Sequence, residues 1–315
     1  MLRLSIIVPF YNAEQYIEQC IRSLYIQDIP WEEYEVICVD DCSSDCSRDI
    51  VERLQKEYLT LKLLVHAKNI RQGGARNTAL SIAQGSYIWF VDSDDCIEKH
   101  CLKGLLDTAE KNHIDLLKFY SKKIGHVFLQ EMVSYGPCTG TEFVFDAPIS
   151  ISSIERCSGV CDGIISRELI QNNSIKFAEN VQYEDDDFSY QICAFASRCQ
   201  LIAESLYMVR DTINSTTRRS NDLRRVVDIY SQAIRMVRLI PKLSAVDNRW
   251  HNLIMISLRD SFENQIFKML KDCTFLEQLH FWMIDSKNKK CFRKYLGFKS
   301  YFKLKSYIAW IILQK

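Results

Sequence analysis

The first hundred positions alternate between short apolar runs and stretches with apolar residues at helical spacing. Leu4–Pro9 is a run rich in Ile and Val, which predicts a strand covered on both faces. Glu35–Val39, Leu61–Val65 and Tyr87–Val91 repeat that signal. Between the first two runs, Tyr16, Ile17, Cys20, Ile21 and Leu24 recur at helical spacing, with Asn12 placed to cap the helix. Pro30 breaks the chain, and Ser44 or Asp45 is expected to cap a second helix running to about Tyr58. Gly73-Gly74 opens a third through Ala83, and Gly85 ends it. Strand–helix alternation of this kind predicts an α/β fold with a parallel sheet and right-handed crossovers.

Beyond residue 100 the pattern is less regular. Leu116–Tyr120 reads as a strand, 137–153 as loop-rich and Arg167–Asn172 as a short helix. From Asp222 to about Lys242 the positions Val226, Val227, Ile229, Tyr230, Ala233, Ile234 and Val237 form a helical face, which Pro241 is expected to end. Trp250–Lys271 reads as another helix. The change of pattern places a boundary near residue 218: an α/β domain over 1–218 and a helical region over 219–315.

Composition narrows the function. Forty basic residues balance forty acidic ones, so the basic excess that marks a nucleic-acid binder is missing and no nucleic-acid partner is expected. Thirteen cysteines, an odd number with no C-x-x-C pair, read as free thiols in a reducing cytosol. The N-terminus runs directly into a strand without a leader pattern, and no run of about 18 apolar residues occurs. A cytoplasmic location is therefore expected.

Candidate chemistry lies in three acidic clusters: Asp40-Asp41, Asp92-Ser93-Asp94-Asp95 and Glu184-Asp185-Asp186-Asp187. The first two follow predicted strands, and ligands of open α/β sheets bind beyond the carboxyl ends of the strands. Adjacent carboxylates repel, so a cluster at that edge fits a bound cation. Oxygen donors without histidine suit Mg2+ or Mn2+, which combine one or two carboxylates with substrate phosphates. A solvated turn with no metal would give the same residues. The Gly73-Gly74-Ala75-Arg76-Asn77 segment fits either a phosphate approach or a tight loop-to-helix junction, with Arg71 and Arg76 as candidate anion partners.

Four linked segments carry a resemblance: Ser5–Asn12, Val39–Asp45, Gly74–Asn77 and Phe90–Asp95. In residues, order and spacing they are similar to family 2 of the inverting glycosyltransferases. The resemblance implies a GT-A fold, with a nucleotide-sugar-binding half over 1–98 and an acceptor half over 99–218. It places Pro9, Phe10, Tyr11 and Asn12 beside the base and ribose, and Asp41 on the donor base, typically uracil. Arg71, Gly74 and Arg76 fall on the donor side. Asp94 is implied as ligand of Mn2+ or Mg2+, Asp92 as ribose contact or second ligand, with Ser93 between them and Asp95 near the donor sugar. Tyr183–Phe188 resembles the segment carrying the general base, which puts that role on Asp185; acids at a helix N-terminus, favoured by its dipole, would look the same. The donor implied is a UDP-sugar, the acceptor a saccharide or lipid-linked saccharide, and the setting surface-glycan synthesis.

Three departures stand out. Cys42 replaces a usual glycine, Cys161-Asp162-Gly163 replaces a usual Trp-Asn-Lys, and Thr212 stands where Arg or His is common; Arg210, Arg218 and Arg219 are the nearby cations. These keep a second reading open, a catalytically degenerate sugar-nucleotide-binding module. A nucleotidyltransferase fits less well, because Pro9-Phe10-Tyr11-Asn12 occupies the place of a Gly-rich phosphate loop. The tail Tyr295–Lys315 mixes aromatic and apolar residues with lysines. It fits a helix packed on the domain or one lying on an anionic membrane, at the inner face of the cell membrane.

Overall fold

The computed structural model describes residues 2–124, 143–146, 159–212 and 223–260. The chain forms two units, Met1–Asn180 with Glu184–Ile213, and Val181–Tyr183 with Asn214–Lys315. In the first unit β1 (Leu4–Phe10), β2 (Tyr34–Asp40), β3 (Leu61–Val65) and β4 (Tyr87–Phe90) run parallel in the order β3-β2-β1-β4. Every residue of β1 and β2 is buried, which is why those runs lack the alternation of a half-exposed strand. Helices α1 (Ile17–Tyr25), α2 (Ser47–Leu54) and α3 (Arg71–Leu80) make the crossovers. Ile17, Cys20, Ile21 and Leu24 of α1 are fully buried, and burying a Leu or Ile stabilises by about 1.5–3 kcal/mol.

The sheet then changes character. It continues through β5 (Cys96–Ile97), helix α4 (Leu102–Lys111), β6 (Leu116–Ile124), β7 (Phe143–Asp146), β8 (Gly163–Ser166), α5 (Arg167–Asn172), α6 (Asp185–Phe195) and β9 (Arg198–Arg210). β8 lies antiparallel between β4 and β6, β6 runs parallel to β9, and β5 and β7 pair antiparallel with β9. The parallel sheet expected from the pattern is thus one half of a mixed one. β7 falls inside the stretch read as loop-rich; the rest of 137–153 lies outside the described residues.

Local signals differ from expectation in three places. Asn12 does not cap α1, which starts at Ile17. With φ of +50° it turns its Oδ1 to the backbone N–H of Ser44 at 2.8 Å and pins the loop after β2 instead. Helix α3 opens at Arg71, two residues before Gly73-Gly74. Gly73 serves packing, because a β-carbon there would collide with the carbonyl oxygen of Ala178. Neither Ser44 nor Asp45 is the N-cap of α2: Cys46 holds that position without a side-chain cap, and Asp45, one residue earlier, accepts from Ser47 N–H at 3.0 Å.

In the second unit α7 (Leu223–Ser244) and α8 (Arg249–Asp260) pack together. Val226, Ile229, Tyr230, Ala233, Ile234 and Val237 are its buried face. Pro241 does not end α7 but sits in its last turn, where the chain needs only three more helical residues. Arg235 Nη2 donates to the carbonyl of Tyr183 at 2.8 Å. The predicted helix beyond 260, the tail 295–315, Arg218 and Arg219 lie outside the described residues. Among the described residues no helix is long and apolar enough to cross a membrane.

Candidate active site

The carboxyl ends of β1, β2 and β4 bring the first two acidic clusters to one edge. Pro9 and Phe10 are buried in β1, whereas Tyr11 and Asn12 emerge into solvent, Tyr11 with 52% of its surface exposed. Asp41 N–H donates to the Phe10 carbonyl at 2.9 Å, which holds the two strand ends together. The Asp41 side chain is buried. Its Oδ1 meets His66 Nδ1 at 2.8 Å and accepts from the N–H of Ile70 at 2.9 Å. Its Oδ2 takes no hydrogen bond among the described residues. Asp40 instead serves the turn, accepting from Ser43 N–H at 2.8 Å.

The second cluster is the turn after β4, closed by Asp95 N–H on the Asp92 carbonyl at 3.0 Å. Asp95 is buried, and both its oxygens are engaged: Oδ2 by the Tyr207 hydroxyl at 2.7 Å and Oδ1 by Arg210 N–H at 2.8 Å. Tyr207 in turn accepts from Asp92 N–H at 3.0 Å. Asp95 therefore stitches the turn to β9. Burial, reinforced by Asp92 and Asp94, pushes its carboxyl up to about 7. Asp94 is raised in the same way, by burial first and then by Asp92. Its Oδ2 accepts from Thr212 Oγ1 at 3.3 Å, so Thr212 lies at the acidic turn. Ser93 is half-buried between the two aspartates.

Arg76 joins this turn to the third cluster. From α3 its buried guanidinium donates to Glu184 Oε1 at 2.6 Å through Nη1, and to Asp92 Oδ1 at 2.8 Å through Nη2. The ring of Phe177 lies 5.2 Å from its centre. Burial works against the charge, but Asp92 and Glu184 outweigh it and raise the pKa. Arg76, expected as an anion partner, is committed to two carboxylates, and only its Nε lacks a partner among the described residues. Arg71 stands exposed at the start of α3 with φ of +66°, and Gly74 is buried within that helix. Asp185 opens α6 directly after Glu184 and adds to the field stabilising Arg76. Half-buried, it accepts no hydrogen bond among the described residues, which leaves its carboxylate available as a base.

His66, Tyr207 and Glu184 as a partner of Arg76 were not legible as site residues. His66 had a signal: it is the first residue past β3, at the same strand edge as Asp41 and Asp92. The departure at Cys161-Asp162-Gly163 proves structural. The Cys161 carbonyl accepts from Trp89 Nε1 at 2.7 Å, Asp162 pairs with Lys118, and a side chain at Gly163 would meet the Leu117 carbonyl.

For a divalent cation the donor set is suitable in kind: two carboxylates, Asp92 and Asp94, with Arg76 on Asp92 Oδ1 and Arg210 Nε donating to the Asp94 carbonyl at 2.9 Å. Among the described residues no three His, Cys, Asp or Glu side chains converge on a common point. The residues thus fit a hard cation whose shell is completed by ligand phosphate oxygens.

Residues 5–140 match the model of glycosyl transferase family 2. Poly(ribitol-phosphate) beta-glucosyltransferase of Bacillus spizizenii is 41% identical over 116 residues, 36% of this chain and 18% of that protein. The poly(ribitol-phosphate) beta-N-acetylglucosaminyltransferase TarS of Staphylococcus aureus is 32% identical over 212 residues, 66% of this chain and 35% of that protein. The chain thus matches only about a fifth to a third of the length of these curated relatives. The crystal structure of S. aureus TarS 1-349 with UDP-GlcNAc superposes with a TM-score of 0.67 at 25% identity, covering 86% of this chain and 80% of that one. Its fold is the GT-A fold, a mixed α/β sheet with flanking helices. With this sheet, the acidic turn after β4 and the family model agreeing, residues 5–140 carry a glycosyl transferase family 2 domain.

Proposed function

We propose that the chain is a metal-dependent, inverting glycosyltransferase. It transfers a sugar from a UDP-sugar to a hydroxyl of a saccharide or lipid-linked saccharide, in cytoplasmic assembly of a surface glycan. Residues 1–218 form its catalytic domain. One observation supports this reading: Arg76 ties Asp92 of the acidic turn to Glu184, the residue next to Asp185. Acids suited to a metal diphosphate and a carboxylate suited to proton removal are thereby joined. The bound UDP-GlcNAc of TarS and the polymer acceptors in the names of both relatives support the donor and acceptor classes.

Asp41 offers Oδ2 to the donor base, with Tyr11 exposed beside it. Mn2+ or Mg2+, held by Asp94 and Asp92, would neutralise charge on the diphosphate leaving group. Asp185 takes the proton of the acceptor hydroxyl as its oxygen bonds to the anomeric carbon. The bond from that carbon to the diphosphate oxygen breaks on the opposite face, and the configuration inverts.

The test is UDP release from a panel of UDP-sugars, with the anomeric configuration of the product read by NMR. Asp185→Asn is expected to lower turnover by about 10²–10⁴-fold while leaving UDP affinity intact. Normal turnover in that variant removes Asp185 from the role, and a retained configuration overturns the inverting mechanism. UDP binding with no transfer to any acceptor would favour a sugar-nucleotide-binding module.

A further inference from the structure

The Asp41 carboxylate has an asymmetric environment. Both protein donors, His66 Nδ1 and Ile70 N–H, converge on Oδ1 at 2.8 and 2.9 Å. Oδ2 accepts nothing from the described residues. A carboxylate only accepts, so Nδ1 of His66 carries the proton. The far side of the ring is held as well: Nε2 lies 3.0 Å from Thr78 Oγ1, which is 3.1 Å from the Gly74 carbonyl. The imidazole is thus gripped at both nitrogens, between the end of β2 and helix α3. Asp41 cannot rotate without losing the His66 bond, because its side chain is almost wholly buried and His66 keeps only 13% of its own surface exposed.

We infer that His66 is a specificity-determining positioning residue: by occupying Oδ1 it presents Oδ2 as a fixed acceptor, selecting a uracil-type base over cytosine. The inference rests on the reading of Asp41 as the group that contacts the donor base. Uracil carries a hydrogen on its ring N3 and donates it to a carboxylate. Cytosine has a lone pair at that position, and two acceptors face to face repel. Discrimination by a missing hydrogen bond is strong when the site's polar group is buried and has no alternative partner. Were Asp41 free to turn, it could move off the ring nitrogen and accept instead from the exocyclic amino group of cytosine, and so serve either base. His66 removes that freedom without touching the ligand.

Calorimetric titration of the full chain with UDP and with CDP, both with Mn2+, tests this. The wild-type chain is expected to bind UDP at least about tenfold more tightly than CDP. His66→Asn keeps an N–H near the place of Nδ1 and should keep most of that ratio. His66→Phe keeps ring volume but offers no donor, and is expected to reduce the ratio about five- to tenfold, mainly by weakening UDP binding. A purely structural role would lower UDP and CDP affinity in parallel and leave the ratio unchanged. An unchanged ratio in a folded His66→Phe chain overturns the inference while leaving the proposed function standing. If that variant does not fold, Thr78→Val, which frees the far side of the ring, is read the same way: a lowered ratio supports the inference and an unchanged one overturns it. Failure of the wild-type chain to bind UDP at all overturns the reading of Asp41 and the inference with it.

Discussion

Cys42 follows Asp41 with φ of +67°, a region that costs a residue with a β-carbon about 1–2 kcal/mol and glycine almost nothing. That backbone requirement explains why glycine is usual at this position in the family, a departure visible in the sequence without its cause. Cys42→Gly is expected to stabilise the chain by about 0.5–1 kcal/mol, less than the full relief because glycine has more freedom to lose on folding. Urea denaturation measures it, and destabilisation would show that the exposed thiol contributes more than its backbone costs. Asp95 gives a second test. Its carboxyl stands at about 7 against an ordinary 3.8, so the native chain holds this proton more tightly than the unfolded one. Stability from this group is therefore highest at low pH and falls as pH rises from about 4 to about 7. In metal-free buffer Asp95→Asn should flatten that slope, worth of the order of 4 kcal/mol. A variant whose pH profile matches the wild type would place the raised group elsewhere.

At the scale of elements, α3 organises the site. Its first half supplies Gly73, packed on the Ala178 carbonyl, and its middle supplies Arg76, clamped between Asp92 and Glu184. Arg76→Lys loses the fork that reaches both acids and leaves one of them buried without its partner. A loss of about 3 kcal/mol is expected, together with reduced turnover. Unchanged stability and activity would mean that the two clusters are set independently. Gly73→Ala should cost about 1–3 kcal/mol through overpacking, also read by denaturation. The elements legible in advance were those with strong local signals: β1 to β4, α1 and the short α5 with its Ser166 cap. β8 and β9 were missed because their identity is tertiary. Gly163–Ser166 is too short to show a period, and β9 takes its length from pairing with β6, β5 and β7. Asn12 was misassigned because a side chain that can cap a helix can equally cap a neighbouring loop, and only the fold shows which N–H it meets.

The first unit brings Asp41 and Asp92 to one edge of a mixed sheet, the edge to which the family resemblance assigns the donor. What the sequence could not reveal was how the acids are used. Asp41, Asp92, Asp94 and Asp95 look alike in the chain, yet one is held by a histidine, one by an arginine, one by a threonine, and one is sealed against β9. This division is electrostatic: Arg76 on Asp92 and Arg210 on the Asp94 carbonyl offset part of the charge of the acidic turn. The most direct test is calorimetric titration with UDP in the presence and absence of Mn2+, for the wild-type chain and Asp94→Ala. Tight UDP binding is expected with Mn2+, much weaker binding without it, and weak binding in both conditions for the Asp94→Ala chain. UDP binding indifferent to Mn2+ and to Asp94, or no UDP binding at all, would contradict this expectation.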